Sequence, residues 1–198
     1  MTIARALPEE ALGTIFTQAR THKDWLSDAV SDEQLRQIYD LMKWGPTSAN
    51  SCPARIVFVK SKEAKDKLLT CMAPGNIEKT KTAPVSAIIA HDMEFYEKLP
   101  KLAPFAPVRS WFAGNQPLIE STAFRNGSLQ GAYFMIAVRS LGLDCGAISG
   151  FDNAKVDEAF FQGTSWKSNF ICNIGHGDPS KLYPRSPRLD FNEACKII

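Results

Sequence analysis

Apolar residues recur at helical spacing along several stretches of the chain, and polar residues stand where such helices would begin. Ser31-Asp32-Glu33-Gln34 has the form of a capping box and precedes the apolar stripe Leu35, Ile38, Leu41 and Met42. The same reasoning predicts helices over residues 9–20, 61–72, 120–141 and 152–161, with Ser61 and Asp152 as caps.

Three short apolar runs show no alternation with polar residues, at 56–59, 85–90 and 170–174. Runs of this length and composition are typical of strands that are buried on both faces. Residues 143–148 read as a fourth, short extended segment. Helices outnumber strands, and the strands do not alternate regularly with helices. The pattern therefore predicts an α+β fold with a small mixed sheet flanked by helices.

Residues 99–117 interrupt this regular pattern. Their four prolines, Pro100, Pro104, Pro107 and Pro117, exclude one continuous helix. A long irregular segment inside a compact domain is more often functional than not. The helix that follows is apolar on most sides, which indicates a central helix or a subunit interface. The proline-broken stretch 183–187 is expected to lie across another part of the molecule.

The composition narrows the class of protein. With 198 residues, of which 44% are apolar, the chain is predicted to form one domain over residues 1–198. The net charge of +2 comes without a basic block, so nucleic acid is not an expected partner. No apolar run reaches the roughly 18 residues of a membrane span. Residues 1–10 turn acidic before a signal-like stretch forms, so a cytoplasmic location is expected.

Sequence motifs exclude several common kinds of site. The five cysteines include no C-x-x-C pair and the three histidines are isolated, so no metal site is predicted. The chain contains no Rossmann fingerprint, no P-loop and no serine-hydrolase elbow. Gly175-His176-Gly177-Asp178 holds a lone G-x-G and is predicted to be only a turn. A bound nucleotide must therefore be held by cationic side chains and polar loops.

Residues of this kind occur in separate clusters. Trp44–Pro53, called the 44–53 loop below, places prolines, small hydroxyls and an amide between a helix and a strand, which makes a pre-set polar loop. The cationic clusters are Arg20-Thr21-His22-Lys23, Asn76 with Lys79, and Arg185 with Arg188. Taken singly, the loop is explained as well by an ordinary turn, and each basic residue better by solvated surface charge.

Taken together, these segments resemble the FMN-dependent nitroreductase family over nearly the whole chain. The likeness rests on the spacing of several segments rather than on one motif. Met42–Asn50, Arg109–Phe112, Ser149–Asp152 and Gly175-His176-Gly177-Asp178 are similar to a subgroup that reduces malonic semialdehyde in pyrimidine catabolism. The resemblance implies a nitroreductase-like fold with FMN, not FAD, at the interface of a homodimer.

The resemblance also implies a set of FMN contacts. The first cationic cluster would bind the phosphate, the ribityl chain and the N1 edge, and the 44–53 loop would reach FMN from the partner subunit. Asn76 and Lys79 would lie at the polar edge, the 147–150 segment near N5, and the last arginines at the phosphate. The implied contacts are Arg20, Thr21, Lys23, Pro46, Thr47, Ser48, Asn50, Asn76, Lys79, Ala147, Ile148, Ser149, Gly150, Arg185 and Arg188.

The chain departs from the family pattern at three of its positions. Ala19 stands where a basic residue is usual, and Ala147 and Ser149 stand where many relatives have proline and glutamate. Residues 99–117 are expected to form a substrate lid, with Arg109 binding a substrate carboxylate. Residues 182–198 are expected to form a separate C-terminal segment.

The reaction implied is a ping-pong reduction in which FMN takes hydride from NADH or NADPH and passes it to a small electrophile. Malonic semialdehyde, reduced to 3-hydroxypropionate, is the first candidate substrate. No catalytic side chain is predicted, since the flavin performs the hydride transfer. Two alternatives remain open: a general reductase of nitroaromatics or quinones on the same scaffold, and a flavin-binding protein without turnover.

Overall fold

The computed structural model describes residues 5–198, so the interpretation of residues 1–10 falls in part outside it. The helices are α1 (Glu9–Leu12), α2 (Asp32–Met42), α3 (Lys62–Leu69), α4 (Ile77–Lys81), α5 (Leu99–Leu102), α6 (Arg109–Phe112), α7 (Gln116–Ser140), α8 (Asn153–Phe160) and α9 (Phe191–Ala194). The strands are β1 (Ala54–Val59), β2 (Val85–Asp92), β3 (Asp144–Ile148) and β4 (Trp166–Gly175).

The strands form one sheet in the order β1-β2-β4-β3, and each neighbouring pair is antiparallel. Val59 at the end of β1 lies opposite Ser86 at the start of β2, so the connection through α3 and α4 returns to the end of the sheet that it left. The predicted mixed character is limited, within residues 5–198, to one parallel bridge between Thr21 and Cys145. An apolar run without alternation indicates that a strand is buried on both faces, but it does not indicate whether the strand is parallel or antiparallel to its neighbours.

Both faces of the sheet are covered in its centre, which explains the run in β2, whereas residues 56–58 of the edge strand β1 are only half-buried and were predicted to be more buried than they are. Every residue of β2 is buried. One core cluster joins α2 and α7 to one face through Ile38, Phe134 and Ile89. A second cluster joins α3 and α8 to the other face through Leu68 and Val156. At 25 residues α7 is the main helix of the first layer, yet no helix in the described part of the chain is both long and apolar enough to cross a membrane.

The predicted caps are confirmed where the signal is local. Ser31 and Gln34 form the reciprocal capping box at α2. The side chains of Ser61 and Asp152 accept backbone N–H groups at the starts of α3 and α8. Caps of this kind satisfy helix donors that otherwise lack partners.

Helix ends differ from the predictions where tertiary contacts intervene. The helix predicted over 9–20 stops early, because α1 passes into a π-helical turn at Gly13–Thr17 and the chain is extended by Thr21. The helix predicted over 61–72 ends at Leu69. In contrast, α7 begins before the predicted residue 120, since Pro117 lies in its first turn, where proline is tolerated. Residues 99–117 fold into the single turns α5 and α6 rather than one regular helix.

Candidate functional site

A cavity of about 860 Å³ opens at the free edge of β3, beside the chain that follows the π-helical turn. Five separate parts of the sequence line it: residues 16–24, the α4 segment (Asn76 and Lys79), Arg139 of α7, residues 146–150 at the end of β3, and residues 178–188. Eleven of the fifteen candidate FMN contacts border this cavity, namely Arg20, Thr21, Lys23, Asn76, Lys79, Ala147, Ile148, Ser149, Gly150, Arg185 and Arg188. We refer to it as the cation-lined cavity.

The charge of the cavity wall is strongly one-sided. Seven lining residues are cationic and two are acidic; the cations are Arg20, Lys23, Lys79, Arg139, Lys181, Arg185 and Arg188. None of the seven forms an ion pair within residues 5–198. The acidic Asp178 accepts hydrogen bonds from the Ser180 hydroxyl and N–H, which lower the pKa of Asp178 and keep it in its own turn. Unpaired cations around a cavity favour a doubly charged anion such as a phosphate.

The Arg20–Lys23 segment is fixed against the edge of the sheet. The His22 N–H donates to the Cys145 carbonyl at 3.1 Å, beside the Thr21 bridge. Gly146 is required at this approach, because a Cβ there would lie 2.2 Å from the His22 carbonyl oxygen. The backbone thus holds the two cations of the segment at the cavity wall.

The His22 side chain ties the same segment to β3 and to the turn after β4. Its Nε2 lies 3.4 Å from Asp144 Oδ1, and Asp144 Oδ2 accepts the Gly177 N–H at 3.0 Å. A Cβ on Gly177 would lie 1.9 Å from His22 Nδ1, so only glycine allows the imidazole this close. The segment predicted to be only a turn, residues 175–178, therefore also supports the cavity.

The opposite wall is held by backbone contacts. Asn76 Nδ2 donates to the Gly150 carbonyl at 2.8 Å, and the Ala73 N–H donates to the same oxygen at 3.1 Å. The Lys79 carbonyl accepts from Trp25 Nε1 and from Asn173 Nδ2, each at 3.1 Å. These contacts place Asn76 directly beside Gly150 and hold the backbone of Lys79 against Trp25 and Asn173.

A buried lysine supports Lys79 from behind. Lys65 Nζ donates to Ser86 Oγ at 2.7 Å, Ser86 Oγ donates to Asn173 Oδ1 at 2.6 Å, and Asn173 Nδ2 reaches the Lys79 carbonyl. Burial lowers the pKa of Lys65 to about 8, because a cation away from water is disfavoured. Sequence reasoning missed this network, since an isolated lysine inside a charged helix gives no sign of burial.

The C-terminal segment closes one side of the cavity. The Arg20 guanidinium donates to the Tyr183 carbonyl at 2.5 Å, and Lys23 Nζ lies 3.6 Å from the centre of the Tyr183 ring. Arg185 donates to the Ala19 carbonyl at 2.9 Å. Arg188 is exposed and donates only to the carbonyls of the two residues before it. The proline-broken stretch 183–187 thus lies across residues 19–23, as predicted.

The 44–53 loop does not reach this cavity within the protomer. Pro46 and Asn50 border a separate cavity of about 770 Å³, next to the end of α2. Ala49, Asn50 and Cys52 all have positive φ, at 53°, 51° and 40°. Such values are uncommon for residues other than glycine and tend to occur at functional sites. The remaining four candidate FMN contacts, Pro46, Thr47, Ser48 and Asn50, are therefore away from the other eleven.

Arg109 lies apart from both cavities described so far. It begins α6 and donates from Nε and Nη2 to the two Glu97 oxygens, at 2.8 and 2.6 Å. This hydrogen bonding lowers the pKa of Glu97 and raises that of Arg109. Its side chain borders a small cavity of about 410 Å³ between prolines of residues 99–117. The guanidinium fork predicted to bind a substrate carboxylate thus binds a carboxylate of its own chain.

The sequence matches the model of the Nitroreductase family over residues 16–176. A protein of Polynucleobacter asymbioticus, named "putative NADH dehydrogenase/NAD(P)H nitroreductase", is 58% identical over 196 residues, which cover 99% of this chain and 100% of the relative. The alignment with this relative includes every part of the chain that lines the cation-lined cavity.

Solved structures share the fold. A "putative nitroreductase" of Exiguobacterium sibiricum in complex with FMN superposes with a TM-score of 0.83 at 19% identity and covers 100% of both chains. A "putative NAD(P)H:FMN oxidoreductase" of Staphylococcus epidermidis gives a TM-score of 0.83 at 18% identity, again over 100% of both chains. The predicted nitroreductase-like α+β fold is confirmed.

Proposed function

This chain belongs to the nitroreductase family, and from that premise we propose that it is an FMN-dependent oxidoreductase that uses NADH or NADPH to reduce a small electrophile. One observation carries the proposal: seven cations without carboxylate partners surround a single cavity, within the part of the chain that the structure describes. The structural relatives named as an FMN complex and as an NAD(P)H:FMN oxidoreductase support the choice of cofactor.

The residues of the cavity suit FMN in charge and in shape. Arg20, Arg185 and Arg188 would hold the phosphate, because guanidinium groups bind phosphate oxygens through paired hydrogen bonds. Lys23 and Lys79 would lie near the polar edge of the ring system. A Cβ at position 150 would lie 2.3 Å from Asn76 Nδ2, so glycine is required there. The cavity wall at residue 150 is therefore formed by backbone and not by a side chain. FMN, when bound, supplies the hydride chemistry.

We propose a homodimer in which the 44–53 loop completes the site of the partner subunit. The loop and α7 both carry exposed apolar side chains: Trp44 at the start of the loop is 80% exposed, and Phe124 and Leu129 on α7 are 56% and 47% exposed. A helix that is buried on one side and apolar on the other indicates an interface. Dimerisation would bring Pro46, Thr47, Ser48 and Asn50 to a cavity that their own chain does not let them reach.

For the substrate we propose malonic semialdehyde, reduced to 3-hydroxypropionate. The aldehyde carbon would gain the hydride that NAD(P)H supplies, and the new alkoxide would gain a proton from solvent. Residues 99–117 would form the lid over the substrate, with Arg109 binding its carboxylate. For this, Arg109 must exchange the Glu97 carboxylate for that of the substrate. The side chains of Arg109 and Glu97 are both about half exposed, so breaking their ion pair costs little free energy.

A specific observation supports a second candidate, the reduction of uncharged nitroaromatics or quinones. While the Arg109 fork is filled by Glu97, the lid offers apolar and aromatic surface rather than a free cation. The name of the Polynucleobacter relative also points to nitro compounds.

A comparison of turnover on the two substrate classes tests these proposals. The purified protein should be a dimer that releases FMN on denaturation and whose flavin is bleached by NADH or NADPH without oxygen. Its kcat/KM for malonic semialdehyde should exceed that for a nitroaromatic and a quinone. Release of FAD, or a monomer with full activity, would contradict the cofactor or the dimer. A higher kcat/KM for neutral substrates would favour the second candidate.

We further propose that residues 1–198 act as one domain in the cytoplasm, where NADH and NADPH are available. All five cysteines are free in the fold, consistent with a reducing compartment. Fractionation of cells that express the tagged protein would test the location.

A further inference from the structure

The 44–53 loop needs an external support for its backbone. Three of its residues, Ala49, Asn50 and Cys52, have positive φ, which asparagine tolerates but which the side chains of Ala49 and Cys52 oppose. Such a backbone persists only where the surrounding structure holds it. Inside the loop, the Thr47 hydroxyl accepts the Cys52 N–H at 3.1 Å, which closes the turn but does not attach it to the fold.

Two buried amide side chains on α7 hold the loop backbone, in addition to the bond from Asn50 Nδ2 to the Leu102 carbonyl and the bond from Arg55 to the Cys52 carbonyl. Asn126 Oδ1 accepts the Ser48 N–H at 2.8 Å, and Gln130 Oε1 accepts the Ala54 N–H at 2.8 Å. Asn126 is 1% exposed and Gln130 is 5% exposed. The two acceptors thus hold the backbone before and after the positive-φ residues.

The spacing and orientation of the amides suit this support. Residues 126 and 130 are four apart, so they lie one above the other on the same side of α7. Asn126 Nδ2 donates to the Thr122 carbonyl at 2.9 Å, which fixes which end of the amide faces the loop. An acceptor held in this way sets the position of Ser48 relative to the rigid helix.

We infer that Asn126 and Gln130 are positioning residues for the cofactor site of the partner subunit. They hold the 44–53 loop in the conformation in which Thr47, Ser48 and Asn50 meet FMN bound to the other chain. This rests on the proposed function, in which each site combines the cation-lined cavity of one protomer with the loop of the other.

Matched substitutions test the role of the acceptors. Asn126→Leu and Gln130→Met remove an acceptor at similar volume, whereas Gln130→Glu keeps one. The first two should each raise the Kd for FMN about tenfold, the effect of losing roughly one buried hydrogen bond. Gln130→Glu keeps the acceptor but buries a carboxylate, so it should raise the Kd for FMN less than Gln130→Met does. Asn169→Leu is the control, because Asn169 Nδ2 binds Ser128 on α7 at 2.9 Å without touching the loop.

A mixed dimer separates positioning from a general loss of stability. Chains with Arg20→Ala and chains with Asn126→Leu are combined through two affinity tags, and bound FMN is counted near the wild-type Kd. If the loop serves the partner, this dimer has one intact site and should retain about half the FMN of the wild-type dimer. A dimer of a wild-type chain with an Arg20→Ala/Asn126→Leu chain carries the same changes but has a defect in each site, and should retain almost none.

The outcomes are distinct. The reverse order of the two mixed dimers would show that the loop serves its own chain, and equal retention would show that Asn126 acts only on general stability; either result overturns the inference. If Arg20→Ala alone retains FMN fully, the proposed cofactor site fails instead. The Asn126→Leu homodimer then decides the inference by itself, since unchanged FMN retention would overturn it.

Discussion

The cation-lined cavity and the 44–53 loop are assembled in different ways. The cavity collects residues from five parts of the sequence, and hydrogen bonds to the backbone hold most of them in place within one protomer. The loop is one short segment with a strained backbone, held by two amides of α7 beside exposed apolar surface. The cavity is thus assembled within one chain, whereas in the proposed dimer the loop would act at the site of the partner subunit.

The largest effect is expected where the cavity wall touches the sheet. Gly146→Ala would place a Cβ 2.2 Å from the His22 carbonyl oxygen. We expect it to lower the free energy of unfolding by about 3 kcal/mol, as overpacking against backbone does, and to abolish FMN retention. Urea unfolding measures the first effect. The control is Gly75→Ala, whose Cβ would meet nothing within 4 Å; equal stabilities for both variants would contradict the role of Gly146.

The buried lysine behind the cavity gives the next effect. Below about pH 8, Lys65 is charged in both the folded and the unfolded chain, and its burial cost is fully present. Between about pH 8 and 10.5 the unfolded chain binds more protons, so stability rises with pH. Relative to Lys65→Met, the wild type should gain up to about 3 kcal/mol over this range.

Urea unfolding of the wild type and of Lys65→Met, at about pH 8 and about pH 10.5, measures this gain in stability. Parallel changes in the wild type and in Lys65→Met would show that Lys65 does not titrate in this range. The two amide side chains of α7 that hold the 44–53 loop, Asn126 and Gln130, do not ionise, so they should add no comparable dependence of stability on pH.

The phosphate cations give a smaller effect on binding. Arg20→Ala and Arg188→Ala should each weaken FMN binding by about 1–3 kcal/mol, the range for a hydrogen bond to a charged group. Fluorescence titration with FMN measures the change. Lys62→Ala removes the same charge from an exposed helix position, paired with Asp66, and should leave the Kd unchanged. Normal FMN occupancy in both arginine variants would disprove the assignment of the cavity.

The smallest effect is expected at the lid. Arg109→Ala should raise the KM for malonic semialdehyde about tenfold and leave reduction of a neutral quinone nearly unchanged. Glu97→Gln weakens the competing pair and should lower that KM. Steady-state kinetics on both substrates measures the split. Equal losses on charged and neutral substrates would mean that Arg109 supports the lid and does not bind the carboxylate.

Local patterns allowed much of the fold to be predicted. The caps at Ser31, Ser61 and Asp152 depend on residues three positions away in the sequence. The strands could be predicted because each contains its own apolar run. Strand pairing could not be predicted in the same way, because β2 and β4 are joined across α7 and β3. The end of the helix that begins at Glu9 was also missed, since the parallel bridge at Thr21 decides it.

In the candidate site, too, local features could be predicted from the sequence and contacts between distant residues could not. The cationic clusters were visible as clusters, and the resemblance grouped them. The contact of Arg20 with Tyr183 spans 163 positions, and the approach of His22 to Gly177 depends on the fold, so neither leaves a local signal. Positive φ at Ala49 and Cys52 was equally hidden, because neither residue is glycine. The Arg109–Glu97 pair could not be chosen from sequence among the many exposed charges.

The distance in sequence between the walls of the cavity also has a consequence for biosynthesis. Arg20 leaves the ribosome well before its partner Tyr183 and the cations Arg185 and Arg188, which are made more than 160 residues later. A nascent chain can form the capped helices and the hairpin-like pairing of β1 with β2 long before the phosphate site exists. Flavin uptake in the proposed site must therefore wait until residues 183–188 have been made and have folded against residues 19–23.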